Sequence, residues 1–230
     1  MARRSLRIVI TAGPTREPLD PVRFVSNYST GYMGARVAAE ALRRGHRVTV
    51  VHGPLAEPLP TGVRAVAVER ARQMGRALRR LARQADVIVM AAAVADFEPA
   101  RRQPKKLPRR GVYSVRLRAT PDLIATLPRR RGQVVAGFAL ETGAVLQRAR
   151  RKLREKRLDV VVAQAAGRRA GRPFGRRPVQ AWLLARSGEV TRLGRVPKWR
   201  VARALLDKAE ALWYGQIVHN SPTTRELHEA

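Results

Sequence analysis

Short apolar runs alternate with amphipathic stretches along most of this chain. Residues 6–11 are apolar and β-branched and stop at Gly13-Pro14, which predicts a short buried strand. Residues 35–44 place Val37, Ala38, Ala41 and Leu42 on one stripe at helical spacing, and Gly45 closes that helix. A second strand over 47–51 ends at His52-Gly53-Pro54, and a proline-rich loop over 54–62 leads to a third strand at 63–68. A basic helix follows over 71–83, with Met74, Leu78 and Leu81 turned inward. Residues 86–93 are apolar on both sides of the alternation, as in a central parallel strand. Strand and helix patterns return at 133–138, from Thr142 or Gly143 to about residue 157, and at 160–163. Residues 179–184 and 189–193 flank Ser187-Gly188 and predict a hairpin. The last helix, 197 to about 214, carries Val201, Leu205, Ala209 and Leu212 on one face.

Such alternation predicts an α/β protein. The expected fold is a Rossmann-like, doubly wound, mainly parallel sheet with helices on both faces, ending in a hairpin. One domain over 1–215 accounts for the pattern, and 216–230 reads as a polar tail. The segment 98–118 breaks the alternation: Pro, Arg and Lys crowd it, so it predicts a mobile basic loop over the carboxyl edge of the sheet, then a strand at 113–117. Thr120-Pro121-Asp122-Leu123-Ile124 reads as the start of a short helix, with Pro at its first position.

Charge adds a question. The chain of 230 residues has 47 Lys and Arg against 17 Asp and Glu, a net charge of +30. Such a balance suits nucleic acid or another polyanion. The basic residues are nevertheless spread over helix faces and loops, and aromatic residues make up only 5%, which leaves few stacking platforms for single strands. A field that draws in phosphorylated small molecules fits better, and nucleic acid is an unlikely main partner. No cysteine is present, which removes disulfides, thiolate nucleophiles and zinc–thiolate sites, and the four histidines show no metal spacing. The N-terminus lacks the apolar core of a signal peptide, and the longest apolar stretch, 87–95, is of strand length. A cytoplasmic protein without a membrane segment is the expectation.

The candidate chemistry gathers at strand exits. Phe24-Val25-Ser26-Asn27-Tyr28-Ser29-Thr30-Gly31-Tyr32-Met33-Gly34 links a strand and turn to a helix, the arrangement that builds phosphate sites in α/β sheets. Ser29 and Thr30 can cap the helix, and Gly31 and Gly34 let a ligand or a neighbouring strand approach. The turn at Gly13 offers backbone N–H groups to a phosphate, and Asn27 offers an amide donor and acceptor. A capped helix with packing glycines explains the same residues. Asp96 leaves the central strand in Ala91-Ala92-Ala93-Val94-Ala95-Asp96, where α/β sheets bind ligands and where helix caps also occur. Lys152 and Lys156 share one helix face, which a solvated basic face explains equally.

The run from Ile10 to Gly34 closely resembles the start of the phosphopantothenate–cysteine ligase family, the synthetase half of bacterial bifunctional coenzyme A proteins. The resemblance covers nearly the whole chain. It returns at Ala91–Asp96, at Phe138-Ala139-Leu140-Glu141-Thr142 and at Lys152 and Lys156 before Leu158-Asp159. It implies carboxylate activation by CTP with Mg2+, then amide formation between 4′-phosphopantothenate and cysteine, in a homodimer and with no flavin in this part. By resemblance, Asn27 and Lys106 are catalytic, with Lys105 the alternative loop lysine. Ala93, Asp96, Lys106, Pro121, Asp122, Leu123, Ile124, Phe138, Lys152 and Lys156 bind the nucleotide. Gly13, Ser29, Thr30 and Gly31 form the phosphate loop, and the metal ligands are not assigned.

The chain departs from the family in three places. Lys105-Lys106-Leu107-Pro108 replaces a K-I-K-K-like run, Thr120 replaces an Asn, and Ala163-Gln164-Ala165 with Pro173-Phe174-Gly175-Arg176-Arg177 replaces polar and acidic motifs. An inactive homologue that binds nucleotide or nucleic acid therefore remains the alternative. A dinucleotide oxidoreductase is disfavoured by the missing G-x-G-x-x-G.

Overall fold

The computed structural model describes residues 4–109, 111–167 and 173–218; most of the polar tail lies outside them, as does Arg110 of the basic loop. Strand β1 (Arg7–Ala12) buries Ile8, Val9, Ile10 and Ala12 on both faces, so it belongs at the centre of a sheet. The chain then forms β2 (Arg16–Pro18), β3 (Phe24–Ser26), α1 (Tyr32–Arg43), β4 (Arg47–His52), β5 (Arg64–Ala67) and α2 (Ala71–Ala82). Next come β6 (Val87–Met90), β7 (Phe97–Pro99), β8 (Leu117–Ala119), β9 (Val134–Glu141), α3 (Val145–Glu155) and β10 (Val160–Ala165). The hairpin β11 (Val179–Ala185) and β12 (Val190–Val196) and the helix α4 (Lys198–Val218) complete the order.

The main sheet has eight strands in the order β12-β11-β10-β9-β6-β1-β4-β5. From β5 to β10 all neighbours are parallel, and the hairpin adds two antiparallel strands at the edge, as expected. After β1 the chain builds outward through β4 and β5, then returns to β6 and builds the other way. The order thus reverses between β1 and β6, which opens a crevice beyond their carboxyl ends.

Strand alternation splits the core in two. Ile8, Ile10, Val87, Val89, Val160 and Val162 pack under α1 and α4, while Val9, Ile88, Val135, Val161 and Ala163 pack under α2 and α3. Glu210, buried on α4, accepts hydrogen bonds from Arg44 at 2.8 Å and meets His46 at 3.1 Å, which ties α4 to the end of α1.

Gly34 sets how close α1 lies to the sheet. A Cβ there would stand 2.5 Å from the Ala12 Cβ and 3.0 Å from the Thr11 carbonyl oxygen. Gly34→Val is expected to cost about 1–3 kcal/mol through overpacking. A urea titration should show a lower midpoint at unchanged slope.

Two local expectations are corrected, and one feature is added. The strand expected at 113–117 is confined to β8, because its partner β7 is itself three residues long. No helix forms at Thr120–Ile124; Asp122 Oδ1 accepts from the N–H groups of Ile124 and Ala125, both at 3.1 Å, and a single turn results. Two small hairpins, β2–β3 and β7–β8, stand outside the main sheet and touch each other.

Candidate active site

The crevice between β1 and β6 is held open by side chains that join the two strand exits. Thr11 Oγ1 accepts from Ala92 N at 3.0 Å, Thr15 Oγ1 accepts from Ala95 N at 2.9 Å, and Ala93 N donates to Gly13 O at 2.9 Å. Thr120 Oγ1 donates to Ala95 O at 2.6 Å and fixes the far strand of the second small hairpin against the same exit. Asn27 follows β3 and donates through Nδ2 to Ala93 O and Val94 O, both at 3.0 Å. Its two amide protons therefore face main-chain carbonyls, and Oδ1 remains as an acceptor.

On the α3 side, Lys152 Nζ donates to Phe138 O at 2.7 Å. Burial pushes the Lys152 pKa below the ordinary lysine value, against the opposing pull of the Glu141 and Asp96 carboxylates. Lys156 pairs with Asp122. Burial raises the Asp122 carboxyl, but the Lys156 ammonium and the N–H groups of Ala125 and Ile124 together hold it below the usual range.

On the α4 side, Lys198 is only 4% exposed and donates to Pro173 O at 2.7 Å and Gly175 O at 2.6 Å. Burial pushes its pKa down to about 8, with Glu57 acting the other way. Phe174 leans on Tyr28 with ring centroids 6.2 Å apart.

Of these groups, Asn27, Asp122, Lys152, Lys156, Phe174 and Lys198 line one cavity of about 730 Å3. That size suits a nucleotide or a substrate of comparable length. The cavity combines cations, the carboxylates of Asp96 and Asp122, the side-chain amides of Asn27 and Gln164, and apolar walls. Among the described residues, none that lines it is a histidine, so no Ser–His or Cys–His pair faces it.

Comparison with known proteins places the chain. The family model for the DNA/pantothenate metabolism flavoprotein C-terminal domain matches residues 3–212. The chain belongs to this family. It is 40% identical over 215 residues to the coenzyme A biosynthesis bifunctional protein CoaBC of Mycobacterium bovis, a match that covers 87% of this chain and 51% of that protein. It is 36% identical over 206 residues to a cysteine/cysteine sulfinic acid decarboxylase of an unknown prokaryotic organism, covering 88% of this chain and 57% of that protein. The crystal structure of the C-terminal domain of a CoaBC protein superposes with a TM-score of 0.76 at 34% identity, over 93% of this chain and 98% of that one. The chain thus spans about half the length of the curated relatives it matches.

Within this flavoprotein C-terminal domain, most of the sequence-predicted site comes together. Asn27, Ser29, Thr30, Ala93, Asp96, Pro121, Asp122, Leu123, Ile124, Phe138, Lys152 and Lys156 share the cavity wall. Four residues do not. A Cβ on Gly31 would meet the Leu55 side chain at 2.2 Å, and one on Gly13 would meet Pro54 O at 2.8 Å; both glycines serve close packing of the 54–62 loop and lie off the cavity wall. Gly31, with φ of 81°, is itself the N-cap of α1, so the hydroxyls of Ser29 and Thr30 do not cap it. They accept instead from Gly31 N at 3.3 Å and Tyr32 N at 3.4 Å, each within its own turn. Lys105 and Lys106 are exposed outside the cavity. Their loop is held one residue later, where Leu107 N donates to the buried Asp20 at 3.1 Å and Leu107 O accepts from Arg23 at 2.9 Å.

Lys198 went unassigned in the sequence. Its signal was available: Lys198 precedes Val201, Ala202 and Leu205 at helical spacing, which puts a lysine on the apolar stripe of α4.

Proposed function

We propose that this chain is the ligase domain that joins 4′-phosphopantothenate to cysteine, with CTP activating the carboxylate. One observation carries the reading: a single cavity at the strand-order switch holds half-buried Lys152 beside the Lys156–Asp122 pair and also Asn27 with a committed donor side and an acceptor left over. The names of the coenzyme A relatives, at 40% identity, support it.

The chemistry needs no protein nucleophile, because the substrate carboxylate is one. A carboxylate oxygen attacks the α-phosphorus of CTP. The new P–O bond gives an acyl-cytidylate, and the bond to the β-phosphate breaks to release pyrophosphate. The cysteine amine then attacks the acyl carbon, CMP leaves with the bonding electrons, and the amine proton goes to solvent or to the leaving phosphate. Lys152 and Lys156 would hold the triphosphate and stabilise charge that grows on it. Asp96 and the Pro121–Ile124 turn would place the nucleoside, with Phe138 beside it. Lys106 would approach the α-phosphate by a swing of its loop about the Asp20-held Leu107.

Among the described residues, no three His, Cys, Asp or Glu side chains gather to hold a metal ion. Mg2+ makes a smaller demand, since it keeps several waters and usually binds through one or two carboxylates plus substrate phosphates. Asp96 on the cavity wall fits that role, and Mg2+ bound with CTP would offset phosphate charge. A homodimer suits the exposed apolar side chains of Val22, Phe24, Phe97, Val112, Val115 and Leu117 on and beside the two small hairpins. A cytoplasmic location suits a small-molecule biosynthetic enzyme, and no helix among the described residues is long and apolar enough to cross a membrane.

The test is pyrophosphate release by the purified chain with 4′-phosphopantothenate, Mg2+ and either CTP or ATP, with and without cysteine. Release with CTP, and amide product once cysteine is added, is the expected result. A folded protein that releases pyrophosphate with neither nucleotide overturns the ligase reading.

A further inference from the structure

We propose that Asp20 is a positioning residue for the basic loop: it pins the segment that carries Lys105 and Lys106, so that the loop lysine reaches the phosphates from a fixed base. This rests on the ligase reading above and on a loop lysine acting in it.

Asp20 lies in the turn that joins β2 to β3. Its Oδ1 accepts from Val22 N and Arg23 N, both at 2.8 Å, while Leu19 N and Asp20 N donate to Arg23 O at 2.8 and 3.2 Å. Those bonds close the turn by themselves. Oδ2 reaches further. It accepts from Arg23 Nε at 2.9 Å and from Leu107 N at 3.1 Å, 87 residues along the chain. Arg23 completes the grip, since its Nη2 donates to Leu107 O at 2.9 Å. A second tie lies on the other side of the lysines, where Gln103 N donates to Leu19 O at 2.8 Å.

The Asp20 side chain is 0% exposed, whereas Pro104, Lys105 and Lys106 are exposed. The two lysines thus stand on a short arch whose feet, Gln103 and Leu107, rest on one turn. Pro104 and Pro108 restrict the backbone at either end. Such an arch can rotate about the line through its feet but cannot drift from the turn. Fixed feet remove chain entropy that a free loop would lose each time it set an ammonium against a phosphate. The same hairpin ends at Ser26, next to Asn27, so one element holds both the lysine arch and the amide of the cavity wall.

Asp20→Asn separates the two uses of the carboxylate. The amide oxygen can keep the Val22 and Arg23 N–H groups, but Nδ2 then meets the Leu107 N–H and the Arg23 guanidinium, which are donors like itself. The turn is kept and the arch is released.

The whole chain is tested as wild type and Asp20→Asn, each also with Lys105→Met or Lys106→Met. A lysine-specific endoproteinase reads the anchor. Cleavage after Lys105 and Lys106, followed by mass spectrometry, should be about tenfold or more faster in Asp20→Asn, the effect of losing one hydrogen bond to a charged group. Cleavage after Lys208 of α4 should not change. With CTP, kcat for pyrophosphate release should fall about tenfold while KM stays within about threefold. Because Asp20 acts through a lysine, that loss should vanish, to within about twofold, in the slower of the two lysine variants. Unchanged cleavage at the loop overturns the anchor. Cleavage after Lys208 that rises in step marks Asp20 as a general fold residue and also overturns it. Faster loop cleavage with unchanged or higher kcat, or losses that multiply in both lysine backgrounds, overturns the positioning role while the ligase reading stands. Should Asp20→Asn fail to fold, Leu107→Pro decides by the same measurements, since it removes the N–H that meets Asp20 and leaves Asp20 in place. Wild type that releases no pyrophosphate overturns the ligase reading and this role together.

Discussion

Lys152→Met is expected to lower kcat/KM for CTP in pyrophosphate release by about two orders of magnitude. A hydrogen bond to a charged group contributes about 1.5–3 kcal/mol, and each 1.4 kcal/mol is tenfold. Removing a donor aimed at growing charge costs about 100- to 1000-fold in known active sites. Lys152 meets the conditions for a value in that range, because its ammonium is half-buried and placed by the Phe138 carbonyl at 2.7 Å. Methionine keeps the length of the side chain, so the α3 packing around Leu153 should survive and thermal stability should change little. Lys156→Met should cost less in charge at the phosphates but should also free Asp122, whose carboxylate it holds. A pH profile gives a second reading. The lysine must be charged to bind phosphate, and its folded pKa is depressed. The alkaline limb of kcat/KM for CTP should therefore begin below the ordinary lysine range as pH rises, and Lys152→Arg should move it upward. Unchanged CTP kinetics in folded Lys152→Met would remove this lysine from the phosphate site.

What the sequence displays depends on how the physics acts along the chain. Burial imposes a period, so β1, α1, β6 and α4 are legible from apolar spacing alone. The hairpins β2–β3 and β7–β8 are too short to show alternation, and their pairing is non-local: β7 and β8 are joined across the basic loop. The glycines show a subtler failure. Ser29-Thr30-Gly31 reads locally as a capped, ligand-facing loop, yet Leu55 occupies the space over Gly31. That contact comes from a loop more than twenty residues away, and no local pattern announces it. The lysine pair was legible in register, through Leu158-Asp159, but its burial was not; the sequence shows a basic face, and only the fold shows that Lys152 points under β9. Lys106 illustrates the reverse. Its place in the chain suggested a site role, while Asp20 and Arg23 fix the neighbouring Leu107 with Lys106 left outside the cavity.

Asn27→Ala should uncouple the two half-reactions: amide formation is expected to fall by about 100- to 1000-fold while the first pyrophosphate release stays within about threefold of wild type. The direction follows from which amide atom is free. Both hydrogen-bond partners of the side chain, Ala93 O and Val94 O, are carbonyl oxygens, so the nitrogen must face them. Oδ1 is then the atom available to a ligand, and it can only accept. The incoming amine of cysteine is a donor; the acyl and phosphoryl oxygens of the first step are not. In the proposed reaction Asn27 would therefore act in acyl transfer, by orienting the amine toward the acyl carbon, and carboxylate activation would proceed without it. Asp at this position would not substitute, because one carboxylate oxygen would be forced against the Ala93 and Val94 carbonyls with no proton between them. Rapid-quench measurement should then give about one equivalent of pyrophosphate per site in the Ala variant, followed by a stall. The stalled acyl-cytidylate should be trapped by hydroxylamine and seen by mass spectrometry. Equal loss of both half-reactions in a folded variant would return Asn27 to a structural role, as the clasp that joins the β3 exit to the β6 exit. Unimpaired amide formation would show that the amine is oriented by another acceptor on the cavity wall.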